Sequence, residues 1–180
     1  MLNLHLGCGN KYIPGFLHVD IVPLPHVDHV GPAELLDFVA DNSADLIYAC
    51  HLLEHYGRHE LRKVLNEWYR ALKPGGVLRL AVPDFAAVCH LYDREGLRDG
   101  YSGLVGLVCG GQRNCADFHK AIFDEPFLRC LLRKTGFREV RAWDWRSTAH
   151  RTIDDYSQAY IPHMDKEHGS LMSLNLEAVK

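Results

Sequence analysis

No Cys-x-x-Cys pair occurs in this sequence, although it holds six cysteines. Cys8, Cys50, Cys89, Cys109, Cys115 and Cys130 match no zinc-ribbon spacing and read as free thiols of a reducing compartment. No run approaches the ~18 apolar residues that a membrane span needs, and no charged-then-apolar leader opens the chain. A cytoplasmic protein is expected. A basic surplus is also missing: the formal net charge is −3 with histidine neutral, so no nucleic-acid partner is expected. Internal repeats and low-complexity tracts are absent. What is present is the composition of a soluble globule, with 47% hydrophobic and 24% charged residues. Its 180 residues suit one domain, 1–180, large enough to bury a core unaided.

Short apolar runs alternate with one strong helical pattern. LNLHLG and FLHVDIV read as strands, the first stopped by Gly7 and the second by Pro23 and Pro25; HVDHV is a weaker third. DLIYAC has the unbroken apolar character of a strand buried on both faces, and VLRLAVPD repeats it. Between them, Leu61, Val64, Leu65, Trp68 and Leu72 recur at helical spacing until Pro74-Gly75-Gly76. Residues 85–118 break the rhythm and read as an insertion of short helices and loops. EPFLRCLLRKTGF has Pro126 near its start and Gly136 at its end, the order expected of a helix. FREVRAWDW and SLMSLNLEAV read as closing strands. Such alternation implies an α/β fold with a mainly parallel sheet and helices on both faces.

The chemistry begins where the first strand meets Gly7-Cys8-Gly9 and the second ends in Asp20. Open α/β sheets bind ligands beyond the carboxyl ends of their strands. Glycines there let the backbone pass close under a ligand, and an acid ending the next strand can hold a ribose diol. With LHLGCGN, HVD, DNSADLIYACHLLEH, LNEWYRALKPGGVLRLAVPD and LRKTGF in this order, the chain resembles the class I S-adenosylmethionine-dependent methyltransferases over nearly its whole length. The resemblance implies a Rossmann-like seven-stranded sheet with the last strand antiparallel, and S-adenosylmethionine as cofactor. It implies cofactor contacts from His5, Gly7, Cys8, Gly9, Asn10, Asp20, Ile21, Ala33, Cys50 and His51, with Asp20 on the ribose hydroxyls and Ala33 N–H at the adenine. It also implies a small-molecule acceptor, a sugar or other hydroxylated metabolite, with His51 or His119 as base.

Three positions depart from the family pattern: His5 stands where an acid is usual, Lys11 where a third glycine is frequent, and Pro32 where an acid often follows the adenine-loop glycine. Only about ten residues join the first two strands, near the minimum for a parallel connection, so a trimmed first crossover is expected. The departures keep a non-catalytic scaffold in view. His51-Leu52-Leu53-Glu54-His55 spells H-x-x-E-H, a zinc-peptidase pattern. A zinc-dependent hydrolase would need those residues within an unbroken helix, yet Gly57 follows at once. The expectation is therefore no metal, with Glu54 and His55 as structural neighbours. Asp84 either faces the acceptor or caps the next turn. HRTIDDYSQAYIPHMDKEHGS, with Tyr156, Tyr160 and His163, is open to two roles, a lid or the contact of a homodimer.

Overall fold

The computed structural model describes residues 1–97, 103–163 and 165–180. Of the insertion expected over 85–118, residues 98–102, Gly100 among them, lie outside the described residues. Its strands are β1 (Asn3–Leu6), β2 (Leu17–Asp20), β3 (His29–Val30), β4 (Ala44–Cys50), β5 (Leu72–Pro83), β6 (Arg138–Ala142), β7 (Tyr160–Ile161), β8 (Ser170–Leu171) and β9 (Ser173–Val179). Its helices are α1 (Leu61–Ala71), α2 (Phe85–Glu95), α3 (Leu104–Cys109) and α4 (Glu125–Thr135). A seven-stranded sheet runs in the order β3-β2-β1-β4-β5-β9-β6, and β9 lies antiparallel to both neighbours. This is the Rossmann-like sheet expected from the sequence. No helix among the described residues is long and apolar enough to cross a membrane.

Period-two alternation sorts the sheet into unlike faces. Leu4, Leu6, Ile47, Ala49, Leu78, Leu80, Leu176 and Ala178 join Leu61, Val64, Leu65 and Trp68 of α1 and Leu128 and Leu132 of α4 in one buried core. The residues between them, His5, Tyr48, Arg79 and Glu177, face the other way. No helix separates β1 from β2, and that second face is covered instead by the irregular segment after β6. Tyr48 donates to Asp155 Oδ2 at 2.5 Å, and its ring lies 4.7 Å from that of His150. Trp143 Nε1–H donates to Leu80 O, and Asn175 Nδ2–H donates to Ser157 O, both at 2.9 Å.

Several boundaries fall differently from the sequence pattern. Leu72 opens β5 rather than closing α1, because its backbone is already extended and pairs with Ala44. AELLDFVA forms turns; Leu36 N–H donates to Glu67, and Arg70 gathers the carbonyls of Leu36 and Val39. β6 ends at Ala142, since Trp143 turns inward and Asp144 caps the next turn. The α4 boundaries hold: Asp124 accepts from Phe127 N–H at 2.8 Å, and Gly136 at φ 116° closes the helix.

His5 is 2% exposed, stacked 5.2 Å from Tyr48 and edge-on to His18. Burial, aided by His18, His150 and His26, pushes it down to about 3. Unfolding restores an ordinary histidine near 6.5. Its stabilising contribution is therefore full above about pH 6.5 and is lost as pH falls toward 3, where only the unfolded chain takes up the proton. His5→Phe is expected to lose less stability than wild type between pH 7 and 4.5, by roughly 2 kcal/mol. Urea midpoints at both pH values measure this, and an unchanged acid slope would contradict it.

Candidate functional site

The carboxyl ends of β1, β2 and β4 meet in one cleft. Leaving β1, Gly7 and Gly9 take φ of 61° and 51°, a left-handed region that favours glycine. Gly7 N–H donates to Val19 O at 2.8 Å, tying the loop to β2. A Cβ at Gly7 would lie 2.7 Å from Leu52, so the exit of β4 is packed directly against this glycine. A Cβ at Gly9 would meet nothing within 4 Å. Asp20 ends β2 with Oδ2 accepting from Gly9 N–H at 2.8 Å and Oδ1 from Val22 N–H at 2.9 Å. A carboxylate has about four lone-pair sites, so two remain for a diol. Beside it, Ile21 is 56% exposed, an apolar wall of the kind a purine requires.

These residues fit S-adenosylmethionine: an open glycine cradle, a fixed carboxylate with spare acceptor capacity, and an apolar flank. The other expected cofactor residues are placed less uniformly. Asn10 is exposed on the same loop, and Ala33 is buried with its carbonyl accepting from Trp68 Nε1–H at 2.8 Å. Cys8 is buried, and burial with nearby Asp20 pushes its thiol up to about 12. Burial and Asp155 also push the Cys50 thiol up, which holds it as a neutral neighbour of Tyr48. The His5 side chain lies under the sheet rather than in the loop, for the reason of strand parity given above. A groove of about 480 Å³ along Pro126, Arg129, Cys130, Arg133 and Lys134 belongs to the outer face of α4, away from this cleft.

His51 turns the chain out of β4 with φ 49°, rare for a side chain that is not glycine. Its N–H donates to Ala81 O at 2.8 Å, and Nε2 lies 3.2 Å from Ser173 Oγ. The Tyr156 ring lies tilted by 34° beside it, with ring centroids 5.2 Å apart. Burial, then His119 and His55, push it down to about 3, so it is a neutral wall of the site. H-x-x-E-H does not form a helix here: only Leu53–His55 make a single 3₁₀ turn.

The surprise is what that turn assembles. Glu54 is fully buried, and neither carboxylate oxygen has a hydrogen-bond partner. His51 Nδ1 lies 3.4 Å from Oε1, within ion-pair range yet not aligned for a hydrogen bond. His119 Nε2 lies 3.9 Å from the same oxygen. The backbone explains the meeting: Lys120 and Ala121 N–H both donate to Glu54 O, at 2.7 and 3.1 Å. Burial pushes Glu54 up to about 8 and His119 down. Asp84 does not join them; it caps α2, accepting from Ala86 N–H at 3.0 Å.

The family model described as "Methyltransferase domain" matches residues 22–80, from the exit of β2 through most of β5. No curated protein matches the chain significantly. Solved structures show the fold. A SAM-dependent methyltransferase from Archaeoglobus fulgidus superposes with a TM-score of 0.59 at 17% identity, over 99% of this chain and 85% of that one. The 1,6-didemethyltoxoflavin-N1-methyltransferase of Burkholderia thailandensis, with bound 1,6-didemethyltoxoflavin and S-adenosylhomocysteine, gives 0.58 at 18%, over 99% and 70%. A Methanosarcina mazei SAM-dependent methyltransferase gives 0.54 at 18%, over 99% and 91%.

The two loop glycines are expected to respond differently to alanine. Each substitution forces an L-residue into the left-handed region, at about 1–2 kcal/mol. Gly7→Ala adds a clash with Leu52 and should destabilise the fold further, whereas Gly9→Ala should mainly weaken cofactor binding. Urea unfolding with calorimetric titration of S-adenosylhomocysteine separates the two; equal stability losses would contradict the assignment.

Proposed function

We propose that this chain is a class I S-adenosylmethionine-dependent methyltransferase and that it methylates a hydroxyl oxygen of a small polar acceptor such as a sugar. The observation that carries this reading is a proton acceptor at the exit of β4: His119 Nε2, whose lone pair is left free by the Nδ1 contact to Leu107 O and lies 3.9 Å from the buried Glu54 carboxyl. An uncharged amine can attack as it stands, whereas a hydroxyl must lose a proton, and this nitrogen can take one. A small acceptor is supported by the Burkholderia neighbour, whose structure holds a small-molecule acceptor.

The cofactor brings a methyl group on a sulfonium, which the acceptor oxygen displaces with the C–S bond breaking as the C–O bond forms. The chain supplies alignment, dryness and a destination for the proton. Gly7, Gly9 and Asn10 hold the donor's amino-acid end, Asp20 takes the ribose diol in charge-assisted hydrogen bonds, and Ile21 and Ala33 flank the base. His51, neutral and held toward Ser173, is a positioning wall and not the base expected from sequence. The hydroxyl proton goes to His119 Nε2. Tyr156, 62% exposed over His51, covers the acceptor end, which favours the lid role over the subunit contact.

Asp20→Ala is expected to weaken S-adenosylhomocysteine by roughly 10- to 100-fold, the loss of one or two hydrogen bonds to a charged group. Titration calorimetry checks this, and wild type that binds neither donor nor product at millimolar concentration would refute the cofactor assignment. Incubating the chain with methyl-labelled donor and separate panels of sugars, phenols and amines tests the acceptor. Label transferred to amines alone would refute the hydroxyl reading.

A further inference from the structure

One ligand atom each from Glu54, His55 and His119 lies within 4.8 Å of the other two. Two aspects of the hydrogen bonding make this more than a chance meeting of polar groups. His55 Nδ1 lies 3.1 Å from Phe118 O, and His119 Nδ1 lies 2.9 Å from Leu107 O. A carbonyl can only accept, so both Nδ1 atoms carry the proton and both Nε2 atoms present lone pairs. Imidazoles that ligate metals are oriented in this same way, with the remote nitrogen donating to a backbone carbonyl. The second aspect is Glu54 itself, wholly buried with two unpartnered oxygens. Two imidazole lone pairs facing an unpartnered carboxyl leave room for a positive centre, which would displace the carboxyl proton.

We propose that Glu54, His55 and His119 bind one divalent transition-metal ion. Two imidazoles and one carboxylate suit zinc or its first-row neighbours rather than magnesium or calcium, which take oxygen ligands. Zinc bonds of about 2.0–2.1 Å space tetrahedral ligand atoms at roughly 3.4 Å, so loading draws the three side chains inward by about 1 Å. Three protein ligands leave a fourth position open, the arrangement of catalytic rather than structural sites. The site is not the H-x-x-E-H pair: His51 turns to Ser173, and His119, sixty-eight residues further on, takes the place that His51 would have held.

This deepens the reading of the cluster as the acceptor's end. In the loaded site Glu54 and His119 would be ligands, and the ion would lower the pKa of an acceptor hydroxyl at the open position so that its proton is lost to water before the donor is engaged. The binding claim stands or falls without donor or acceptor present, so it can fail while hydroxyl methylation survives.

The test uses the full chain, prepared without a histidine tag, stripped with chelator and titrated with zinc against a chromophoric competitor. One equivalent should bind with Kd tighter than about 1 μM. His119→Gln and His55→Gln should each weaken it more than the roughly 10- to 100-fold typical of outer-shell losses, while His59→Ala and His168→Ala should not. Cobalt loaded in place of zinc should show the visible bands of a four- or five-coordinate site in wild type and lose them in His119→Gln. Wild type binding no tighter than the His119 variant would overturn the proposal, as would loss shared equally by His59→Ala. Should the glutamine variants fail to fold, the wild-type cobalt spectrum decides alone, and octahedral, water-like bands would count against the site.

Discussion

Ten residues, Gly7 to Phe16, join β1 to β2, and this is too short a connection to carry a crossover helix packed on the sheet. The sheet face that such a helix would cover must be buried by something else, since bare strand backbone and apolar surface do not stay in water. Here the cover comes from the other end of the chain. The segment between β6 and β9 returns across the sheet, and it is irregular and polar, so the face beneath it is polar as well. Tyr48 reaches Asp155, Asp155 holds Ser157, and Ser157 O accepts from Asn175. Asn175 Oδ1 accepts from Ser173 Oγ–H, which leaves Ser173 Oγ to meet His51 Nε2. An unbroken line of hydrogen bonds thus runs from the underside of the sheet to the mouth of the cleft. The trimmed crossover is what makes the site wall dependent on the carboxyl-terminal half.

Burial of so many titratable groups settles their charge in a consistent way. His5 and His51 are pushed down to about 3, and Glu54 is pushed up to about 8. Each shift favours the neutral form, since desolvation penalises charge of either sign. Near pH 7 the interior around the cleft is consequently rich in lone pairs and poor in charge. Asp20 stands apart, partly exposed at the strand end and fixed by two backbone N–H groups. The Asp20 carboxylate thus lies at the open end of β2, and uncharged imidazoles and the Glu54 carboxyl lie at the exit of β4.

Much of the fold was legible because its signals are local. β4 and β5 are recognisable as apolar runs, α1 by its spacing, and α4 by Pro126 and Gly136, each within a dozen residues. The glycine loop and Asp20 were legible for a similar reason: a strand end and a turn have strict backbone needs. His5 shows the limit. It lies two residues from Gly7, close enough to be read as part of the loop, but alternation along β1 sends its side chain to the opposite face from Leu4 and Leu6. Burial by a partner segment 145 residues away in sequence, at His150, completes its environment, and no window of the sequence contains both. Leu72 was misplaced for a related reason. Its spacing suits α1, but pairing with Ala44 is a tertiary contact that outweighs helical period.

H-x-x-E-H shows most directly how a pattern can be right in its letters and wrong in its geometry. Two histidines four apart share a face only if the backbone between them is helical. At His51 the chain leaves a parallel strand, and the left-handed φ needed to escape the sheet rotates that side chain away from His55. Glu54 and His55 then fall on the one 3₁₀ turn that follows. The loop carrying His119 closes over that turn through the Lys120 and Ala121 amides, which donate to the Glu54 backbone carbonyl and leave the buried carboxyl itself without a hydrogen-bond partner. The pattern suggested a helix with two ligands and a base; the strand end converts it into one wall residue, His51, and two members of a site whose third comes from a distant loop. What decides between those outcomes is the direction in which the chain exits β4, a property of the sheet and not of the five letters.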